Sequence, residues 1–536
     1  MTGISKSLRK LDDSSSGVAL ADLTFHEHTM KNLIEISKIV TKKKVRKIEI
    51  FDDYSLRNKN SKFNEFYEAL QADKFKNDLD AARYLYGCSP TDDKYRQLKS
   101  RFRKRLLNTL FFLDVNLPAA SNYERAYFSC NKDWTLVKIL ISNEAEMTAS
   151  SLARQILTTA LKFKFADVIV NCSRILRLHC SQIGDEKGFE VYDQHIKQYA
   201  NILDAEIRSE EMYQRVVMDY YKPPSQTEGL LERIDTCSDA LVGLSEIYKS
   251  PIIDYHMYLV WVLRYEIIYD YERVLKICDQ AQVYMAENPQ YYQESKLIFF
   301  HQKRISAYLH LQDFNNGKAS VEKPLKLFRD GSEPWYKFME YYFLLALHTD
   351  QYVTASAVFQ TATGNSHFRK LPTQTRDKWR IFEVYLNYII EAFAKEKPNL
   401  ASQPRKTFRI NAFLVDPILF PKEQRIFTVH MVVAQILFLL ERRKFKEIND
   451  RIDRLRSYAN RQLNKETNYR TIQFIRLLQQ LSRAEFMVNN LSNTDKYYNR
   501  LIETPMFYRG QSHELEVIPY DKLWNHIIHT LMIRRP

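Results

Sequence analysis

An all-α chain built of stacked helical hairpins is the fold class this sequence predicts, and three observations predict it. Glycine is scarce, 11 residues in 536, where about 7% is usual. Few glycines leave few sites for the two-residue turns that join strands, so hairpins of strands are disfavoured. Apolar residues recur at helical spacing along most of the chain. Stretches led by an aromatic residue also recur: 43 positions separate Tyr271 from Phe314, and 38 separate Phe314 from Tyr352. A fixed period of that size is the signature of two-helix units that bury their apolar faces on one another.

Residues 1–24 are polar and serine-rich and read as a tail. His26 and His28 point to opposite sides of a helix, which is no metal site. A helix is expected over about 29–42, then a basic run at 42–47 and an alternating segment at 48–51 that fits a short strand or a helix end. Between 60 and 117 the helical pattern is strong. Phe63, Phe66, Tyr67 and Leu70 make one stripe, Leu79, Ala82 and Leu85 another, and GlyCysSerPro at 87–90 interrupts it. A helix follows from about Thr91 to Leu113, with an apolar line of Tyr95, Leu98, Phe102, Leu106 and Leu110. Around that line stand Lys94, Arg96, Lys99, Arg101, Arg103, Lys104 and Arg105. Such a helix either turns a solvated basic back to water or contacts phosphates. The helix–turn–basic helix arrangement resembles the carboxy-terminal helix-turn-helix of sigma-type regulators, departing from it at Arg83 and Asp93, where that motif has a small and an aliphatic residue. The net charge of +14 permits a nucleic-acid partner.

From about 120 onward five places share one pattern, an aromatic followed by one helix face at +3, +7 and +10. Phe165 precedes Val168, Cys172 and Ile175; Tyr271 precedes Val274, Cys278 and Ala281; Phe314 precedes Gly317, Val321 and Pro324; Tyr352 precedes Ala355, Phe359 and Ala362; Phe445 precedes Ile448, Ile452 and Leu455. A small residue lets a partner helix approach, and the aromatic four places on fills the groove between helices. Pro324 is expected to kink or end its helix. Tyr352–Ala362, and next Tyr271–Ala281 with Tyr265, resemble the tetratricopeptide repeat over roughly 120–365 and again over 425–480. That resemblance implies an α-solenoid of helical hairpins whose concave face binds a protein or peptide partner. The stretch 408–535 is also similar to bacterial helical-repeat proteins of no assigned function.

Breaks are expected at ProProSer 223–225 and across 396–409, dividing the chain into a tail (1–24), an N-terminal helical module (25–118), helical repeats (119–400) and a closing C-terminal module (401–536). In the last, Arg442, Arg443, Lys444, Lys446, Arg451, Arg454, Arg456 and Arg461 form a second basic cluster. Interspersed acids make it read as a salt-bridged exposed helix, with Asp450 and Arg454 an i,i+4 pair. The segment 513–519 reads as extended, leading to a capping helix docked by Leu523, Ile527 and Leu531. His526 and His529 lack a third ligand.

No phosphate loop, nucleophile elbow or zinc-protease motif is present in the sequence. The expectation is therefore a protein that is no enzyme and uses no cofactor. Six scattered cysteines without a CxxC pair, and no leader-like start, point to a reducing cytoplasm. The longest apolar run, Met431–Leu440, is half a membrane span. The leading expectation is a non-catalytic interaction scaffold. The alternative is a nucleic-acid-associated regulator using the helix at 94–105.

Overall fold

The computed structural model describes Met30, Leu33, Ile34, Ser37 and residues 61–110, 122–222, 229–393, 408–415, 420–421 and 424–533, apart from 73, 76, 292, 293 and 493. The tail, the His26/His28 pair, the segments at 42–47 and 48–51, the break at 223–225 and most of 396–409 lie outside the described residues. Every regular element among the described residues is helical. None of these helices is long and apolar enough to cross a membrane. The chain divides into two compact units, 1–159 and 160–536.

In the first unit, α1 (Lys62–Gln71), α2 (Asp78–Tyr86) and α3 (Asp93–Thr109) pack each against the other two. Ser61, Asn77 and Asp92 cap them, each side chain accepting from a first-turn N–H. Phe66, Ala82, Leu85, Tyr95, Leu98, Phe102 and Leu106 are buried together. Leu79 is not among them: it is exposed, and Ala81 takes its place in the core. Gly87 ends α2 in the left-handed conformation that glycine adopts without strain. Next come α4 (Asn122–Ser142) and α5 (Glu146–Phe163), the latter running past the boundary between units.

The second unit continues with α6 (Ala166–Ile183), α7 (Glu186–Tyr220), α8 (Leu230–Tyr248), α9 (Pro251–Ile267), α10 (Tyr271–Glu287), α11 (Glu294–Leu311) and α12 (Phe314–Leu327). It is completed by α13 (Glu333–His348), α14 (Tyr352–Gly364), α15 (Thr373–Phe393), α16 (Ile410–Val415), α17 (Arg425–Glu441), α18 (Phe445–Gln462), α19 (Tyr469–Arg483), α20 (Thr494–Glu503) and α21 (Tyr520–Ile533). Sequential helices pair as α9/α10, α11/α12, α13/α14 and α17/α18. The first helices of the pairs meet one another: α11 packs on α13 and α15 on α17, Tyr255 of α9 meets Phe300 of α11 edge-on, and Phe343 of α13 stacks on Phe382 of α15 at 4.7 Å. α13 and α17 are buried on nearly every side, as helices apolar all round must be.

One turn geometry closes these pairs. At Glu144, Lys164, Tyr269, Gln312, Asp350 and Arg443 the backbone is left-handed, and a new helix starts two residues later. In each, the following N–H returns to the carbonyl five residues back, as Asp270 does to Tyr265 at 2.9 Å and Gln351 to Ala346 at 2.8 Å. This is the Schellman termination, here made without glycine. Scarce glycine therefore did not forbid tight helix–helix turns.

The shared turn fixes the register of the faces. Val274, Cys278 and Ala281 are buried after Tyr271; Ala355 and Ala362 are fully buried after Tyr352, with Phe359 packed between Phe343 and Trp379; Ile448, Ile452 and Leu455 are buried after Phe445. At the first place the expected face is met in part, Val168 and Cys172 being buried and Ile175 half-buried. Phe165 precedes the helix rather than opening it, and the residues equivalent to 274, 278 and 281 are Ile169, Ser173 and Leu176, all fully buried. Pro324 does not end its helix, which continues to Leu327. Gly317 is needed small, because a Cβ there would lie 2.4 Å from a Leu345 methyl. Leu523 and Ile527 of α21 are buried in the same core as α17 and α19, with Leu531 packed against it.

Candidate functional site

The basic helix α3 is divided by its packing. Its apolar line is turned inward, and Lys99 is drawn to Asp78 at 2.7 Å, where the Tyr95 hydroxyl also donates at 2.6 Å. Burial and the Asp78 carboxylate hold that phenol protonated. Arg96 leans on Asp93 at 3.7 Å, and Arg103 and Arg105 are half-buried. Lys94, Arg101 and Lys104 are exposed without an ion pair among the described residues.

The repeat-packing residues Tyr271, Val274, Cys278, Ala281, Tyr352, Ala355, Phe359 and Ala362 hold helices together and line no open site. The structure places the most elaborate polar chemistry elsewhere, where residues 505–518 cross the ends and sides of α7, α11, α13, α15, α17 and α19 as an irregular strap. One 3-10 turn at Ser512–Glu514 stands in place of the extended run expected from sequence. Tyr508 is buried, donating its hydroxyl to Glu340 of α13, which also holds Lys378 of α15 at 2.9 Å. Arg509 lies over the rings of Tyr220 (4.9 Å) and Phe507 (4.7 Å), donates to the Tyr220 carbonyl, and is neutralised by Glu514 at 2.6 Å. Glu516 receives Arg470 of α19 at 2.5 Å and the backbone N–H of Tyr520 at 2.9 Å. Nearby, Lys303 of α11 is paired with the buried Glu266.

Three histidines lie beneath the strap, and burial holds them neutral. His310 sits within hydrogen-bond distance of the Ser306 carbonyl through Nδ1 (2.7 Å), while its Nε2 accepts the Tyr508 backbone N–H at 3.0 Å. His348 donates from Nε2 to the Glu516 carbonyl at 2.9 Å. Burial lowers the pKa of His310 and His430 to about 4 and of His348 to about 3. No group of three metal-ligating side chains occurs among the described residues. His526 is occupied by packing, its ring 5.0 Å from Phe393.

Sequence reasoning missed the strap as a binding element, because its signal is nonlocal. Glu514 and Glu516 alternate with Leu515 and Val517 as on a half-exposed strand, yet Leu515, Glu516 and Val517 are buried and Glu514 half-buried, and the arginine that neutralises Glu516 lies 46 residues away. The pair expected between Asp450 and Arg454 is also not formed: both are free of ion pairs among the described residues, and Arg454 is exposed. No protein-family model matches the chain, and no match is found among curated proteins or solved structures.

Proposed function

We propose that this protein is a non-catalytic interaction scaffold, built on helix pairs resembling tetratricopeptide repeats, that holds a protein or peptide partner in the cytoplasm. The observation supporting it most is the array itself. Pairs closed by one turn geometry stack through a shared layer of first helices, and the strap clamps that layer with ion pairs buried from water. Recognition of a long partner segment favours a pre-organised scaffold, and stacked helix pairs are the type of element that serves as one. Affinity capture of the tagged full-length chain with crosslinking, after nuclease treatment, tests this. A discrete protein crosslinked within 160–536 is expected; partners that vanish with nuclease, or none, overturn it.

A second reading is supported by the exposed cations Lys94, Arg101 and Lys104 on α3. If α3 contacts nucleic acid, affinity falls steeply with salt, and Arg101→Glu/Lys104→Glu weakens it for every sequence alike.

A further inference from the structure

Beside α18 lies an open groove of about 1110 Å3. One wall is a single stripe of α18, Glu447, Arg451, Arg454, Tyr458 and Arg461, at alternating spacings of four and three that keep all five on one helix face. At 1.5 Å per residue the stripe runs about 21 Å. The facing wall is Thr428, Val432 and Gln435 of α17, and Leu414 and Leu455 supply apolar surface between them.

Among the described residues, the charges in this groove are not balanced. Lys444 is matched by Glu447 at 3.0 Å. Arg451, half-buried, is held entirely by neutral acceptors: the Gln435 side chain at 3.1 Å, the Glu447 carbonyl at 3.2 Å and the Leu414 carbonyl at 2.6 Å. Burial lowers its pKa, the mark of a cation short of a counter-charge. Arg454 has no ion-pair partner among the described residues, and Arg461 reaches only the Ser457 carbonyl. Asp453 is the one remaining carboxylate against three guanidinium groups.

The strap shows how this fold fills such a place. There, the segment 512–518 brings Glu516 to Arg470 of α19 while burying Leu515 and Val517, and Glu514 is matched by Arg509 within the strap itself. We propose that the α17/α18 groove is a docking site for an acidic amphipathic protein segment, its carboxylates on Arg451, Arg454 and Arg461 and its apolar side chains on Val432 and Leu414. This rests on the scaffold reading and names its partner surface. Nucleic acid fits less well, because bases would gain only Tyr458 to stack on, while Val432 and Leu414 offer the apolar contact that an amphipathic protein segment uses.

The test uses the full-length chain and a fluorescein-labelled amphipathic peptide of Glu, Leu and Ala, its Gln-for-Glu version, and single-stranded RNA. Saturable, salt-sensitive binding of the Glu peptide is expected, weakened about tenfold or more by Arg454→Glu/Arg461→Glu. Arg456→Glu, an exposed change on α18 outside the groove lining, is expected to change it little. Equal binding of the Gln peptide, an equal loss in Arg456→Glu, or RNA binding abolished by the double variant overturns the proposal. The two readings fail separately. If the double variant still captures the wild-type protein partner from lysate, the groove assignment falls and the scaffold stands; if the wild type captures no nuclease-resistant partner, both fall.

Discussion

Two recesses run along the helix pairs of residues 160–536, and they differ in who supplies the contents. The one under residues 505–518 is filled by the chain, and its cations are matched: Lys378 by Glu340, Arg470 by Glu516, Arg509 by Glu514 and Lys303 by Glu266. The one beside α18 is open, and its arginines face neutral oxygens or water. Both are lined by basic residues from helix faces, joined in the first by Arg509 of the strap itself. The difference teaches that a buried cation in this fold is a committed half of a pair, whereas a cation in the open groove is available. Stability is invested in the first recess, so perturbing it should unfold the protein; perturbing the second should leave the fold intact and alter what it binds.

The largest effect should come from breaking a pair under the strap. Lys378→Met leaves the buried Glu340 carboxylate without its cation, and a loss of about 3–5 kcal/mol is expected in chemical unfolding. A loss below 1 kcal/mol would show that the strap is held by packing alone.

Acid should act on the same recess. His310, His348 and His430 have folded pKa values near 4, 3 and 4, below the ordinary 6.5 of the unfolded chain. Between those values the unfolded state binds more protons, so stability is complete above about pH 7 and is lost as pH falls through 6.5 toward 4. At pH 5.5 each histidine should account for about 1 kcal/mol. Burial lowers His256 and His301 to about 4 as well, so His310→Gln, which can still accept the Tyr508 N–H, should flatten the histidine part of the slope by about one fifth; an unchanged slope would place the acid-sensitive groups elsewhere.

The turns give a smaller effect of opposite sign. Gln312 and Arg443 are exposed and left-handed, so Gln312→Gly and Arg443→Gly relieve backbone strain and should stabilise by roughly 0.5 kcal/mol each, the gain limited by the extra freedom of glycine in the unfolded chain. A clear loss of melting temperature at either site would mean that its side chain does more than the backbone shows.

Smallest of all, Arg454→Ala and Arg461→Ala should shift stability by less than about 0.5 kcal/mol. A loss comparable to that of Lys378→Met would erase the distinction between the recesses.

The local elements were legible in the sequence. The 3.6-residue pattern placed α3 and α14 close to their observed bounds and picked out the buried faces of α10, α18 and α21, since an amphipathic helix declares its buried face by spacing alone. The aromatic openers marked the helix pairs because each begins at a turn of fixed geometry. At Phe165 the aromatic stands one residue before the helix, and the expected face is only partly buried: spacing alone cannot distinguish a cap from a first turn. The helix at Pro324 outlasted its proline because only the last turn follows it. Even the basic cluster of α18 was visible, though which of its cations face an empty groove was not.

Sequence by itself determined that this is a helical protein with apolar faces recurring along the chain, because helix periodicity and turn preference are properties of neighbouring residues. Tertiary structure alone decided which charges meet. Arg470 finds Glu516 across 46 positions, Tyr508 finds Glu340 across 168, and Arg451 finds only neutral acceptors. Those outcomes depend on how helices stack, and the energy of a charge depends on what lies within a few ångströms of it in space.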